Sequence, residues 1–221
     1  MTKLQILAAS ISCSLLALPL LGAGDLSRYR EFDLDSNLTE IARQAGPNTE
    51  GAQTLHERPA LLQELTWRAS SNDSVKQIDF HFLGGELYRM IVHYSPYSTQ
   101  GLTAQDVIDA TSKIYGEAVK PADEIALSTV YGKDQAVEVI ARWEDADWSF
   151  NLVRLQYESN FTLAVLSKHL DGPARMAIDE AIELDRQEAP QREIDQKRRD
   201  ELAKATELEE ARLVNKPQFR P

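Results

Sequence analysis

Four side chains able to bind a metal or move a proton fall within one stretch, IDFHFLGGELYRMIVHY, residues 78–94: Asp79, His81, Arg89 and His93. An imidazole beside a carboxylate makes a base with its orienting partner, and imidazole nitrogens are common metal ligands. Whether these groups meet depends on the register of the hairpin that turns at Gly84-Gly85. A two-residue turn sets Phe80 against Arg89, a poor pair. A three-residue loop, Leu83-Gly84-Gly85, sets Phe80 against Tyr88, Ile78 against Met90 and Asp79 against Arg89, which pairs ring with ring and acid with base. That register places His93 opposite Val75, six positions from His81. At about 3.3 Å per residue the imidazoles are then roughly 20 Å apart, too far to share a metal bound at about 2 Å. The expectation is a structural hairpin with Ile78, Phe80, Tyr88, Met90 and Val92 toward the core.

A second cluster is Trp143-Glu144-Asp145-Ala146-Asp147-Trp148, where two tryptophans flank an acidic loop. Opposed across a hairpin, the rings would stack. The three acids could collect calcium, but the loop lacks the glycine and spacing of a calcium-binding loop. His56-Glu57-Arg58 has no second histidine four residues on, and Pro59 would end a helix there. No serine sits in a G-x-S-x-G elbow, and no glycine-rich phosphate loop occurs. No residue is assigned a catalytic, cofactor-binding or metal-binding role. Trp143, Trp148 and Phe219 are the candidate interaction residues, Phe219 because it lies between prolines in the closing segment Lys216-Pro217-Gln218-Phe219-Arg220-Pro221.

The elements that must position these residues read as a repeated pattern. Asn37 followed by Glu40 starts a helix over 37–45, and Gly46-Pro47 ends it. Strand-like runs follow at 60–68, 75–83 and 86–94. Thr103 and Asp106 start a second helix over 103–115, closed by Gly116, with strand-like runs at 136–143, 148–155 and 161–168. Helix and three strands, twice over, predict an α+β fold of two tandem α-βββ units, 25–100 and 101–170. Their antiparallel strands would be covered by both helices on one face. Residues 171–221 form a C-terminal helical extension and tail. A helix over 174–188 presents Ala177, Ile178, Ala181 and Ile182 on one side, and Pro190 is expected to kink or stop it. In 191–212, 13 of 22 residues are charged, with signs alternating. Such a segment reads as a solvated spacer or lever, or as a narrow stripe that docks a partner helix.

Composition bounds the function. The first 24 residues carry only Lys3 as a charge, then an apolar run that closes on Gly22-Ala23-Gly24. This is the form of a secretory signal peptide, and the alternative is an uncleaved inner-membrane anchor over residues 4–24. The single cysteine, Cys13, lies within it, so the exported chain has no thiol chemistry and no disulfide. The chain holds 24 Lys and Arg against 35 Asp and Glu, a net charge of −11. Phosphate backbones and anionic membrane surfaces are therefore disfavoured partners.

Tyr29-Arg30-Glu31-Phe32, Gly85-Glu86-Leu87-Tyr88-Arg89-Met90, Ala141-Arg142-Trp143-Glu144-Asp145, Glu188-Ala189-Pro190-Gln191-Arg192-Glu193 and the closing residues 215–221 together resemble a family of uncharacterised exported bacterial proteins. That family carries no assigned activity. In pattern alone, the helix-plus-meander units are similar to the small lipoprotein of the outer-membrane barrel-assembly machinery and to the β-lactamase inhibitory protein. The latter resemblance implies a sheet that grips a partner. The first expectation is thus a non-catalytic periplasmic or extracellular protein that binds another envelope protein. The second is a binder of a small apolar ligand. The third is a hydrolase using Asp145 and Asp147.

Overall fold

A computed structural model describes residues 25–70, 72–119, 124–129, 132–154 and 160–220, so the expected leader, with Cys13, lies outside them. The fold is α+β. A short antiparallel pair, β1 (Arg28–Tyr29) and β2 (Phe32–Asp33), precedes the helix α1 (Leu38–Ala45). Next come β3 (Gln53–His56), β4 (Leu62–Arg68), β5 (Val75–Leu83) and β6 (Glu86–Tyr94). A short helix, α2 (Pro96–Thr99), and α3 (Ala104–Tyr115) lead into β7 (Glu124–Thr129), β8 (Gly132–Glu144), β9 (Trp148–Arg154) and β10 (Phe161–Ser167). The chain closes with the 45-residue α4 (Asp171–Asn215).

Both early helices form where their caps place them. Asn37 Oδ1 accepts from the Glu40 amide at 3.0 Å and the Asn37 amide donates to Glu40 Oε2 at 3.0 Å. Thr103 and Asp106 make the same reciprocal pair at the start of α3. Gly46 and Gly116, with φ of 63° and 88°, supply the left-handed residues that end them.

Among the described residues each half has four strands rather than the expected three, because β3 and β7 flank the two meanders as outer strands. One eight-stranded antiparallel sheet results, in the order β3-β4-β5-β6-β10-β9-β8-β7. The order mirrors itself about the β6–β10 pair, which is antiparallel with Ala164 opposite Ile91, as a two-fold axis between the halves requires. On one face α1 and α3 cover the main core. Ile41, Val107 and Tyr115 meet Phe80, Met90, Trp143, Phe150 and Leu163 there. The N-terminal segment completes this layer, with Phe32 edge-on to Phe80 at 4.9 Å and to Trp67 at 5.8 Å.

The hairpin register differs from expectation. Leu83 pairs with Glu86 and Phe82 with Leu87 around a two-residue turn, Gly84 and Gly85 both at positive φ. A β-bulge then inserts Tyr88, so His81 faces Arg89, Phe80 faces Met90, Asp79 faces Ile91 and Gln77 faces His93. The expected Asp79–Arg89 pair is not formed, and the histidines lie four positions apart along the strand rather than six. Ile78, Phe80, Met90 and Val92 do enter the main core, whereas the bulge sends Tyr88 to the opposite face.

That opposite face receives α4, so the helices do not all share one side. Asp171, Ala174, Ala177 and Ala181 are buried, and the two nearest alanines pack with Leu62 and Tyr88. Small side chains let the helix axis approach the strands closely. Pro190 does not stop the helix, which continues to Asn215.

What fastens α4 is a buried ion pair. Arg89, 2 % exposed, donates from Nη2 to Asp171 Oδ1 at 2.7 Å and from Nε to the same oxygen at 3.2 Å. Arg175 Nε, one turn further along the helix, approaches Asp171 Oδ2 at 3.0 Å. Removing one partner of such a pair costs about 3–5 kcal/mol, because the other remains desolvated. Asp171→Ala is therefore expected to lower Tm by roughly 10 °C in a circular-dichroism melt. Arg175→Ala, at a side chain more than a third exposed, should cost less than about 1 kcal/mol. The double variant Arg89→Met/Asp171→Leu should recover most of the loss.

Candidate functional site

Two groups of polar side chains were candidates for chemistry, those of the β5–β6 hairpin and those of the acidic β8–β9 loop. The hairpin residues lie on the α4 side of the sheet. Asp79 accepts from Thr66 Oγ1 at 2.8 Å and Gln77 Nε2 at 2.7 Å, and contacts His93 Nε2 at 3.0 Å. Burial alone would raise its carboxyl, but these three partners together outweigh burial and hold it below the usual carboxylate range. The Asp79–His93 contact has the geometry of a base with its orienter. The neighbour across the ladder is Thr162, whose hydroxyl is buried without a hydrogen-bond partner. Thr162 is only 1 % exposed, so no substrate can reach it as a nucleophile.

His81 lies deeper, beside the Tyr88 ring at 6.0 Å and with Glu64 Oε2 at 3.6 Å from Nδ1. Burial, aided by the charge of Arg89 across the strand pair, lowers its imidazole to about 4. Burial, with Asp79 and Glu50 nearby, raises the Glu64 carboxyl. Both groups are driven toward their neutral forms, so this contact is not an ion pair. The two histidines answer to different carboxylates. Among the described residues no group of three or more His, Cys, Asp and Glu is placed to hold a metal.

The acidic loop is dispersed. Asp145 Oδ1 accepts from the amides of Asp147 and Trp148 at 2.9 and 2.7 Å, Glu144 pairs with Lys168 at 2.9 Å, and Asp147 contacts His169 at 3.0 Å. Asp145 and Asp147 thus do not converge on a point where a hydrolytic water would sit. The tryptophans are not a surface pair. Trp143 opposes Phe150, its indole donates to the Gly116 carbonyl at 3.1 Å, and both Trp143 and Trp148 belong to the main core. The expectation that they contact a partner is corrected by their burial. Phe219 is in the open, 74 % exposed.

Two clefts accompany these groups. One of about 480 Å³ lies between the start of α1 and the β8–β9 turn, lined by Asn37, Glu86, Asp147 and His169 among others. The other, about 270 Å³, is open and sits beneath α3, lined by Tyr29, Tyr94, Tyr115, Leu102 and Ile114. Residue patterns did not mark it, since its three phenols come from β1, β6 and α3. Burial raises all three hydroxyls, Tyr115 to about 12, so they remain neutral phenols at neutral pH. Arg30, at its rim with a left-handed φ of 53°, gives a two-pronged ion pair to Asp73 at 2.8 and 2.7 Å. Those hydrogen bonds hold Asp73 down to about 2. The cleft therefore offers phenols and apolar surface, with the Arg30–Asp73 pair and the Asp106 carboxylate, which caps α3 through Thr103, at its edge.

No family model, curated protein or solved structure matches the chain.

The pH dependence of folding follows from His81. Its ordinary value is 6.5 and its folded value about 4, so the unfolded chain takes up the proton first as pH falls. Stability is full above about 6.5 and declines between about 6.5 and 4, by up to roughly 3 kcal/mol. Urea unfolding at pH 7 and at pH 4.5 should show this decline in the native chain and a shallower one in His81→Phe. Equal slopes in the two would remove His81 as its source.

Proposed function

We propose that this is a non-catalytic exported protein that binds other proteins. Its α+β body is a mount, and the free half of α4 with its tail is the docking element. The observation that carries the reading is the exposure of α4. From residue 189 to residue 220 every side chain is exposed except Asp195, which is half-buried. Ile194, Leu202, Leu208, Leu213, Val214 and Phe219 are among them. At about 1.5 Å per residue the free helix extends roughly 40 Å. A solvated spacer needs no large apolar side chains, whereas a docking helix does.

The body supports the same reading by its fastening. Besides Arg89–Asp171, Arg58 holds Glu188 at 2.9 Å and His56 approaches Asp185 at 3.7 Å, so the helix is braced up to the point where it leaves the sheet. A hydrolytic reading has no support in the dispersed acids of the β8–β9 turn. An apolar-ligand reading has little: the apolar cleft beneath α3, about 270 Å³, falls short of the roughly 300 Å³ at which ligand pockets begin, and the larger one, about 480 Å³, is lined by polar groups such as Asn37, Glu86, Asp147 and His169 as well as by apolar ones. Export rests on the leader-like first 24 residues. No described helix is long and apolar enough to cross a membrane.

Affinity capture of the tagged chain from its native envelope, with and without residues 190–221, tests the proposal. The intact chain should retrieve a protein that the shortened one does not, while the two melt within a few degrees of each other. Recovery of nothing, or of the same proteins by both, would overturn it.

A further inference from the structure

The free half of α4 carries a pattern that reads the same from either end. Ile194, Arg198, Leu202, Ala205, Glu209 and Leu213 follow one another at intervals of 4, 4, 3, 4 and 4 residues, which keeps them on one face of a helix. The pattern is symmetric about the bond between Ala203 and Lys204. Run antiparallel to itself about that point, the helix sets Ile194 against Leu213, Leu202 against Ala205 and Arg198 against Glu209. The recurrence is 11 residues, from Ile194 to Ala205 and from Leu202 to Leu213, close enough to the natural helical period for two nearly straight helices to keep contact.

Charge agrees with the apolar pattern. About the same centre Asp195 stands level with Arg212, Lys197 with Glu210 and Arg198 with Glu209, three pairs of opposite sign against one like pair, Asp200 with Glu207. A parallel in-register pair would instead set each of these side chains level with its own copy, like sign on like. The ion pairs that Arg198 and Glu209 make now, with Asp195 at 3.7 Å and Arg212 at 2.8 Å, join exposed neighbours on the same helix. Such pairs are weak and readily exchanged. Position agrees as well. The free helix runs over 189–215 with its midpoint at Leu202, within two residues of the centre of symmetry. Pairing would therefore use the whole arm, bringing each tail to the base of the other arm.

We propose that the partner of this arm is a second copy of this chain, paired antiparallel through 194–213. The two bodies are then held at opposite ends of a two-helix rod, roughly 45 Å apart along its axis. This rests on the reading of α4 as a docking element and names its occupant. It also accounts for large apolar side chains on a helix otherwise dense in charge. Ile194, Leu202 and Leu213 are covered in the pair and exposed only in the single chain.

Sedimentation equilibrium of the purified intact chain, up to about 500 µM at low salt, tests it without any other protein present. The expected result is a reversible dimer with a micromolar Kd that weakens as salt screens the charges. Arg198→Glu and Glu209→Arg should each weaken the dimer roughly tenfold, and the two together should restore it. Only an antiparallel contact gives that rescue. Both side chains are exposed, so the variants should keep the parent's helical circular dichroism. A chain that stays monomeric throughout, or a double variant no tighter than the singles, overturns the self-pairing. Envelope capture that still retrieves a different protein through residues 190–221 would then leave the docking reading standing with another occupant.

Discussion

A charged guanidinium sealed inside a sheet is tolerable only if a carboxylate is brought to it, and Arg89 sets that condition here. Asp171 meets it. Because Asp171 is the first residue of α4, satisfying the charge also fixes where the helix begins and the direction it takes across the strands. Ala174, Ala177 and Ala181 let it lie close, and Tyr88, turned to this face by the bulge, packs beneath it. The same charge helps keep His81 neutral. One buried cation thus adds to the burial that keeps its neighbour neutral and anchors the start of the arm.

The body's charged groups are answered within separate local sets. Asp79 is shared among Thr66, Gln77 and His93, Asp73 holds Arg30, and the acids of the β8–β9 turn cap amides or meet single cations. Catalysis wants several groups aimed at one accessible point. These are aimed at one another, and they stabilise a rigid platform from which a single element, α4, extends. In the proposed reading that arm is the docking element.

Much of the fold was legible in the residues because local physics wrote it there. Both capped helices start and stop where Asn37, Gly46, Thr103 and Gly116 place them, and β5 and β6 keep the limits that alternation and Gly84-Gly85 assign. The register was not legible. Choosing the pairing that joins Asp79 to Arg89 assumed that charge is satisfied within the hairpin, whereas Arg89 is satisfied 82 residues away and a bulge at Tyr88 reconciles the turn with the core. Outer strands β3 and β7 were missed because neither shows a clear alternation of its own. Pro190 was overread. A proline forfeits one hydrogen bond and strains one turn, and a helix braced by Arg58–Glu188 before it and by ion pairs after it continues through.

The candidate site shows the same division. Trp143 and Trp148 looked like surface rings because an acidic loop joins them, yet alternation placed both on the core face. Phe219, with no strand or helix to bury it, is exposed as its flanking prolines implied. The tyrosine cleft had no signature at all, since three phenols far apart in the chain are brought together only by packing. Taken alone, the sequence determined the α+β class, the ends of α1 and α3, and the inward positions of Ile78, Phe80, Met90 and Val92, all of which depend on neighbours a few residues apart. Tertiary structure decided the strand register, the joining of both halves into one sheet, the side that α4 takes and the partner of Arg89. Those depend on which distant surfaces bury the most apolar area while leaving no charge unanswered, a condition that the whole chain must satisfy at once.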